Sequence, residues 1–447
     1  MKSVTIVGGG LVGSLWAVYL SREGYKVKVF EKRTDMRNTV MSAGKSINLA
    51  TSYRGWKALD AMGLGDEVRT IAKPMYGRTM HLPDGAKNFQ KYGQGDQAIY
   101  SVSRGGINVK MLEAAAKNAE LYFNEDCIGV DLTNNICTFK NSVTGNVTEV
   151  KSDLIFATDG AFSAVRYNAM QKLDRFNYSQ NYIEDGYKEI LLPANADGSY
   201  KMEDETLHIW PRGRFMLIAL PNQDGSFTCT LFMPVDGHEY SFKKLNNKEA
   251  INKFFAETFP DFYEMMPDVA DKWDDYPLSS LAIIRCFPWH HNNTALMGDA
   301  AHATVPFFGQ GMNCGFEDCT VMWELMKKHN HNWPEILKEY EVLRKPNGDA
   351  VQDLSLQNYL VMRDKVADPV YLLHRKVEAR ISTLYPDKYF PLYTMVSFTD
   401  ISYHTALTKG NEQERMVSEF ISDHGITDTT PVDVIDGYIK LKFGDKL

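Results

Sequence analysis

Cysteine is scarce in this 447-residue chain: Cys127, Cys137, Cys229, Cys286, Cys314 and Cys319 form no paired doublets of the kind that hold zinc, and they are too sparse for a disulfide scaffold. Their mostly apolar neighbours suit buried thiols in a reducing compartment, so the expected location is the cytoplasm. An excess of basic charge is also missing. Lys and Arg number 49 against 57 Asp and Glu, a formal charge of −8, and that balance disfavours a general nucleic-acid or anionic-membrane binder. Only one long apolar run occurs, Val4 to Leu20 (VTIVGGGLVGSLWAVYL), and its three consecutive glycines followed by Gly13 make a poor uninterrupted helix. No small-x-small cleavage site follows it, which disfavours a secretory signal. There is no Gly-x-Ser-x-Gly nucleophile motif, internal repeat, low-complexity tract or long flexible linker. The composition is otherwise that of a globular protein, 44% hydrophobic and 24% charged, with length for two to three structural units.

The apolar run carries the first positive signal. Val4 to Val7 reads as a buried strand, Gly8-x-Gly10-x-x-Gly13 as a turn opening a helix to about Arg22, and Lys26 to Phe30 as a second strand ending at Glu31. In such a βαβ unit Gly8 permits the tight turn and Gly10 lets a pyrophosphate approach the backbone at the positive helix end. Gly13 permits close packing, and Glu31 can accept ribose hydroxyls. Strand, helix and acid in register make this a dinucleotide-binding fingerprint. It occurs once, because Gly309-x-Gly311-x-x-x-Gly315 has the wrong spacing.

Farther along, 52–64 and 107–119 read as helices, 136–150 as a hairpin around Thr144-Gly145-Asn146, and Leu154 to Ala157 as a buried strand. From about 180 to 285 short strands (206–210, 215–220, 227–233) separated by tight turns imply an antiparallel sheet and a second domain. Ala295 to Met297 returns to a buried strand, a long helix begins near Gly311, and the chain after 335 is mainly helical. The expected division is 1–70 plus 100–178 plus 286–335 for a discontinuous dinucleotide domain, 71–99 plus 179–285 for a sheet domain, and 336–447 for a C-terminal helical region.

Two aspartates stand at strand ends, in Asp159-Gly160-Ala161-Phe162-Ser163-Ala164-Val165-Arg166 and in Gly298-Asp299-Ala300-Ala301-His302. That position faces the ligand crevice of an open α/β sheet, although each motif alone could be only a turn. In this order after the fingerprint, the set resembles the single-component (class A) aromatic flavin monooxygenases. The resemblance implies an α/β fold: a Rossmann-like FAD-binding domain of the para-hydroxybenzoate hydroxylase type, an α+β antiparallel-sheet substrate domain and C-terminal helices. It also implies non-covalent FAD held by Gly8, Gly10, Val12, Gly13, Glu31, Lys32, Arg33, Ala50, Arg104, Asp159, Asp299, Gly311, Met312 and Asn313. The segment Pro306 to Asn313 would run past the isoalloxazine ring, and NADPH would visit without a Rossmann domain of its own.

The remaining motifs narrow the match. Ser46-Ile47-Asn48-Leu49-Ala50, Met75-Tyr76-Gly77-Arg78, Tyr92-Gly93, Val305 to Asn313, Asn358 to Arg363 and Pro391 to Val396 are similar to the kynurenine 3-monooxygenase branch of that family. The resemblance implies hydroxylation of L-kynurenine to 3-hydroxy-L-kynurenine with NADPH and O2 through a flavin hydroperoxide, in tryptophan degradation and NAD biosynthesis. It further implies Arg78, Tyr92, Asn358 and Tyr393 around the amino-acid end of the substrate. Met216, Ile218, Leu220, Phe232, Pro306 and Phe307 would surround its ring, with no catalytic acid or base and no metal. A guanidinium suits a carboxylate, and phenol and amide groups suit the remaining lone pairs and ammonium protons. Strand alternation puts Met216, Ile218 and Leu220 on one face, which could equally be core packing. Two features depart from the pattern. Ala157-Thr158 stands where Gly-Ala or Cys is frequent, and the C-terminus lacks the apolar anchor of eukaryotic members, which points to a soluble form without membrane partners; a homodimer is one assembly open to it. His302 is expected to be structural. A hydroxylase of another aromatic acid and a flavin-fold binding or regulatory protein without oxygenation remain the alternatives.

Overall fold

The computed structural model describes residues 2–38, 48–93, 95–362 and 368–444; Ser46, Ile47 and Arg363 of the motifs above lie outside them. The apolar run at the start divides into the strand Ser3–Val7 and the helix Leu11–Arg22, with the glycines between. Among the described residues no helix is long and apolar enough to cross a membrane. Gly8 sits at φ +101°, where a Cβ would come within 2.6 Å of the Thr158 carbonyl oxygen, and a Cβ on Gly13 would lie 2.0 Å from the Gly8 carbonyl oxygen. Only glycine allows the helix to pack this closely on the strand end. Thr158, one of the two departures from the family pattern, reinforces the same turn by donating its hydroxyl to the carbonyls of Val7 (3.0 Å) and Gly8 (2.8 Å).

Strand Ser3–Val7 lies inside a six-stranded sheet, between Leu154–Ala157 and Lys26–Glu31, all parallel. Thr294–Leu296 extends it on one side and Glu120–Phe123 on the other, both parallel, and the short strand His290–His291 closes one edge antiparallel. The carboxyl ends of the central strands therefore converge on one crevice, where Gly8, Glu31, Asp159 and Asp299 all stand. The central strands are buried along nearly their whole length, as a sheet covered on both faces requires.

The second large sheet has seven strands in the order Ser279–Phe287, Asn177–Leu192, Phe227–Pro234, Phe215–Pro221, Thr206–Arg212, Gly77–His81 and Lys87–Lys91. Every pairing is antiparallel except Thr206–Arg212 with Gly77–His81, so a hairpin from early in the chain completes a sheet built mostly from 177–287. Its two faces do different work. Leu217, Ala219, Cys229, Leu231 and Met233 point into a closed core with Phe254, Phe255, Phe259 and Phe262 from the helices Lys248–Thr258 and Pro260–Met265. Met216, Ile218 and Phe232 point the other way, toward Phe307 and Tyr359. The helices Gly311–Lys328, Trp333–Leu360, Leu392–Phe398 and Tyr403–Asp423 pack around this second side through Phe308, Cys314, Val351, Met395 and Tyr403. Helices Pro369–Leu384 and Val432–Phe443 join the last of them in a separate small core.

Candidate active site

One cavity of about 690 Å³ runs from the dinucleotide fingerprint to the front face of the seven-stranded sheet. Gly8, Gly10, Val12, Glu31, Lys32, Arg33, Ala50, Arg104, Asp159, Asp299, Gly311 and Met312 line one end. Arg78, Tyr92, Met216, Ile218, Leu220, Phe232, Pro306, Phe307, Asn358 and Tyr393 line the other. Gly13 and Asn313 stand outside the lining. Gly13 is buried against the turn, and the Asn313 side chain is engaged by protein: its Nδ2 donates to the carbonyls of Ala50 (2.8 Å) and Gly309 (2.9 Å), and its Oδ1 accepts from the Ser52 amide at 2.9 Å. The Asn313 side chain is thus directed to protein rather than to the cavity. It ties the glycine loop to the strand Asn48–Thr51 and is fully occupied in doing so.

At the fingerprint end, a Cβ built on Gly10 meets nothing within 4 Å, so this backbone is bare toward the cavity. Glu31 is buried, its Oε2 accepting from the Gly9 amide (2.8 Å) and its Oε1 from the Arg33 amide (2.9 Å) and Arg33 Nε (2.8 Å). Burial alone would push this carboxyl up, but the Arg33 hydrogen bonds and charge outweigh it and hold the pKa below the ordinary value. Asp159 caps the next turn: its Oδ2 accepts from the amides of Ala164 (2.7 Å) and Val165 (3.2 Å), while its Oδ1 is buried without a partner among the described residues. Desolvation pushes its pKa up. An orphaned buried oxygen in a cavity wall asks for a ligand donor. Farther along, the helix Gly311–Lys328 opens toward the cavity with no side-chain cap and no acidic residue in its first turn, so its amides are available to an anionic or electron-rich group. A bare backbone, an orphaned carboxylate oxygen, an exposed Asp299 and an uncapped helix end together fit FAD.

The other end is apolar with one polar corner. Alternation along Phe215–Pro221 does place Met216, Ile218 and Leu220 on the cavity side. The Phe232 ring lies 4.9 Å from that of Phe307, which lies 4.5 Å from that of Tyr359. In the corner, the rings of Tyr92 and Tyr393 stack at 4.8 Å with 17° between planes. Burial pushes the Tyr393 phenol up to about 12 and that of Tyr92 well above its usual value, so both stay protonated near neutral pH. Asn358 donates its Nδ2 to the Phe307 carbonyl at 2.6 Å, which fixes the Pro306–Phe308 turn against the helix Trp333–Leu360. Arg78 donates its Nε to Gln90 Oε1 at 2.9 Å.

Tyr187 and Thr230 also stand in the lining, and single polar residues on strands carry no pattern that would reveal them; Asn48, within the motif at 46–50, lines it too. His302 lies outside the cavity. Its Nε2 is 2.7 Å from Asp318 Oδ2, and Asp318 also accepts from the Gly298 amide (2.9 Å) and Arg344 Nε (2.7 Å). His290 Nδ1 lies 3.2 Å from Glu341 Oε2 on the helix Trp333–Leu360. His81 bridges Asp261 (2.7 Å) and His208 (2.9 Å) on the closed side of the sheet. Among the described residues no group of three His, Cys, Asp or Glu could hold a metal ion.

Residues 1–355 match the FAD binding domain family model. The chain is 46% identical to a kynurenine 3-monooxygenase of Flavobacterium psychrophilum over 95% of each chain. It is 41% identical to the Sus scrofa kynurenine 3-monooxygenase over 93% of this chain and 88% of that one. Among solved structures, a 2-methyl-3-hydroxypyridine-5-carboxylic acid oxygenase superposes with a TM-score of 0.67 at 19% identity, covering 83% of this chain and 95% of that chain. PqsL of P. aeruginosa gives 0.66 at 17%, covering 81% and 97%; these two share the fold. With that fold, a cavity suited to FAD beside an apolar pocket, and identity of this extent along nearly the whole chain, the protein belongs to the kynurenine 3-monooxygenase family of FAD-dependent monooxygenases.

Proposed function

We propose that the protein hydroxylates L-kynurenine to 3-hydroxy-L-kynurenine with NADPH and O2, using non-covalently bound FAD. The observation that carries this reading is the single cavity in which an FAD cradle opens directly onto an apolar pocket with one polar corner. L-Kynurenine has a matching division, an aminophenyl ring at one end and an α-amino acid at the other. The ring lies among Met216, Ile218, Leu220, Phe232 and Phe307, and the amino acid lies against Arg78, Tyr92, Asn358 and Tyr393.

FAD bound in the cradle supplies the reductive activation of O2 from which an oxygen atom reaches the ring. The protein's part is placement and dryness. Arg78 offers a guanidinium to the carboxylate, and the two protonated phenols offer neutral hydrogen bonds that do not compete with it for charge. With that end fixed, the ring is confined between the strands 215–221 and 227–234 and the Pro306–Phe308 turn, which excludes water from the reacting carbon. Gly8, Gly10, Glu31 and Asp159, which adjoins Gly8, would hold the adenosine half of FAD, and Asp299 and the Gly311 helix end would hold the flavin half. No acid or base need act, because the ring's own ortho-amino group makes the carbon electron-rich. The six cysteines, all buried and unpaired, support a cytoplasmic setting.

The test is an assay with purified protein in which L-kynurenine is added to NADPH and O2. The expected result is kynurenine-stimulated NADPH oxidation with 3-hydroxykynurenine formed in near-equal amount. Flavin reduction that ignores kynurenine, or that yields only peroxide, would refute the assignment.

A further inference from the structure

We propose that Gln90 is a positioning residue for the substrate carboxylate, holding the Arg78 guanidinium by its Nε edge so that the paired Nη groups face the cavity as a fork. The inference rests on the reading of Arg78 given above and adds the residue that makes that arginine selective. Arg78 and Gln90 stand directly opposite each other on the antiparallel strands Gly77–His81 and Lys87–Lys91. Arg78 Nε donates to Gln90 Oε1 at 2.9 Å, and among the described residues its Nη atoms carry no hydrogen bond. Arg78 lines the cavity and Gln90 does not. The strand Lys87–Lys91 is the sheet edge, and Gln90 is its one half-buried residue, the other four being exposed.

Two physical points give the contact its meaning. A guanidinium binds a carboxylate bidentately either through Nε and one Nη or through both Nη groups, and occupying Nε leaves only the second mode. Arginine also has a large rotamer entropy to lose when it engages a ligand, and a partner that fixes its plane beforehand lowers that cost. The chemistry of the partner matters as much as its position. Arg33, Arg54, Arg69, Arg344 and Arg380 all bond carboxylates, of Glu31, Glu317, Asp60, Asp318 and Asp436. Arg78 instead has an amide. A carboxylate there would orient the guanidinium equally well and cancel its charge, whereas the neutral amide orients it and leaves the full positive charge for the substrate.

The test compares Gln90→Met, which keeps length and apolar stem but removes the acceptor, with Gln90→Glu and Arg78→Ala, all as FAD-loaded enzymes. Kinetics are measured with L-kynurenine, and inhibition constants with its decarboxylated analogue. Gln90→Met is expected to raise the kynurenine KM roughly five- to tenfold with kcat nearly unchanged, as loss of one oriented hydrogen bond implies, and to leave the analogue's inhibition constant unchanged. Gln90→Glu is expected to raise KM further, because the new carboxylate competes for the same cation. An unchanged KM in Gln90→Met, with a large rise in Arg78→Ala, would overturn the role of Gln90 and leave the Arg78 reading standing. No effect in either variant would overturn both. Equal losses for kynurenine and the analogue would show a general packing role and overturn the proposal.

Discussion

Replacing Phe232 with alanine separates the two things this cavity does. The Phe232 ring packs on Phe307 at 4.9 Å and on Tyr187 at 6.0 Å, and it also borders the cavity. Truncating a fully packed Phe costs about 3–5 kcal/mol. Here one face already borders a cavity, so the change extends existing space rather than sealing a new void, and the expected stability cost is at the low end, about 3 kcal/mol. Losing one aromatic contact to the substrate ring forfeits about 1.4 kcal/mol of binding, a tenfold rise in KM. The larger effect is on outcome. Once substrate has stimulated reduction, oxygen activation needs only the reduced flavin and O2, whereas delivery to the ring needs the ring held and water kept away. Phe232→Ala is therefore expected to keep consuming NADPH while releasing a larger share of it as hydrogen peroxide, and Phe232→Leu, which refills most of the space, to lie between it and the parent. The assay follows NADPH loss, 3-hydroxykynurenine and peroxide together on protein shown to be folded by its melting temperature. A folded Phe232→Ala enzyme with normal NADPH turnover and undiminished product per NADPH would refute the assignment of this strand to the ring pocket.

Three further outcomes are expected. Acid precipitation should release all FAD into the supernatant, because among the described residues no histidine lines the cavity and burial keeps Cys127, the cysteine in its lining, a thiol with its pKa pushed up to about 12; flavin retained in the pellet would contradict this. Tyr92→Phe and Tyr393→Phe, which lose one neutral hydroxyl each, should each weaken kynurenine binding by about 1 kcal/mol and so less than Arg78→Ala, a ranking that substrate titration checks directly. Asp318→Asn should lower stability by about 3–5 kcal/mol, because it leaves the buried cations of His302 and Arg344 facing a neutral amide. Asp318, held at about 2 by its partners, contributes stability that is complete above an unfolded value near 3.8 and is lost as pH falls toward 2. Burial would lower the pKa of His302, but the neighbouring Asp318 carboxylate holds it well above the ordinary 6.5, and its contribution is complete below 6.5 and lost only as pH rises through that higher value. The wild-type advantage over Asp318→Asn in chemical unfolding should therefore be flat between about pH 4 and 6.5 and shrink in stronger acid.

How much of this was legible in the sequence depended on whether the determining contacts were local. The fingerprint was, since Gly8, Gly13 and Glu31 are dictated by a turn within one βαβ unit, and the strands Leu154–Ala157, Phe215–Pro221 and Phe227–Pro234 are apolar enough to declare themselves. Helix ends shifted where capping or glycine intervened. The helix expected from 107 starts at Arg104, because Ser103 Oγ accepts from the Gly106 amide at 3.3 Å. The helix expected over 52–64 breaks into Tyr53–Ala61 and Gly65–Arg69 around Gly63 at φ +60°. The long strand Asn177–Leu192 escaped notice because its first half is polar and exposed, paired on one side only by Ser279–Phe287. In the site, Arg78, Tyr92, Asn358 and Tyr393 came from motif resemblance rather than from any pattern in their own neighbourhoods, since nothing local distinguishes them from surface and core residues of the same types.

The same long-range character explains why the C-terminal helices belong to the site. Asp318 joins the Gly298 amide to Arg344 on the helix Trp333–Leu360, and Arg344 reaches Glu317, which in turn pairs with Arg54 at 2.9 Å. Arg54 donates to the carbonyls of Val396 and Ile401, at the end of the helix that carries Tyr393, and lies 4.2 Å over the ring of Tyr403. The Tyr403 hydroxyl donates to Gln310 at 2.9 Å, immediately before the helix end that faces the cavity. Asp318, Arg344 and Arg54 are buried and Glu317 is half-buried; the buried charges would be costly alone, and each is matched. The chain of contacts therefore fixes the Asp299 loop, the flavin-side turn and the Tyr393 helix in one frame. For a reaction that relies on holding a ring at a set distance from FAD, a shared rigid frame between cofactor cradle and substrate corner is what the chemistry requires, and the ionic chain provides it without placing a charge in the cavity itself.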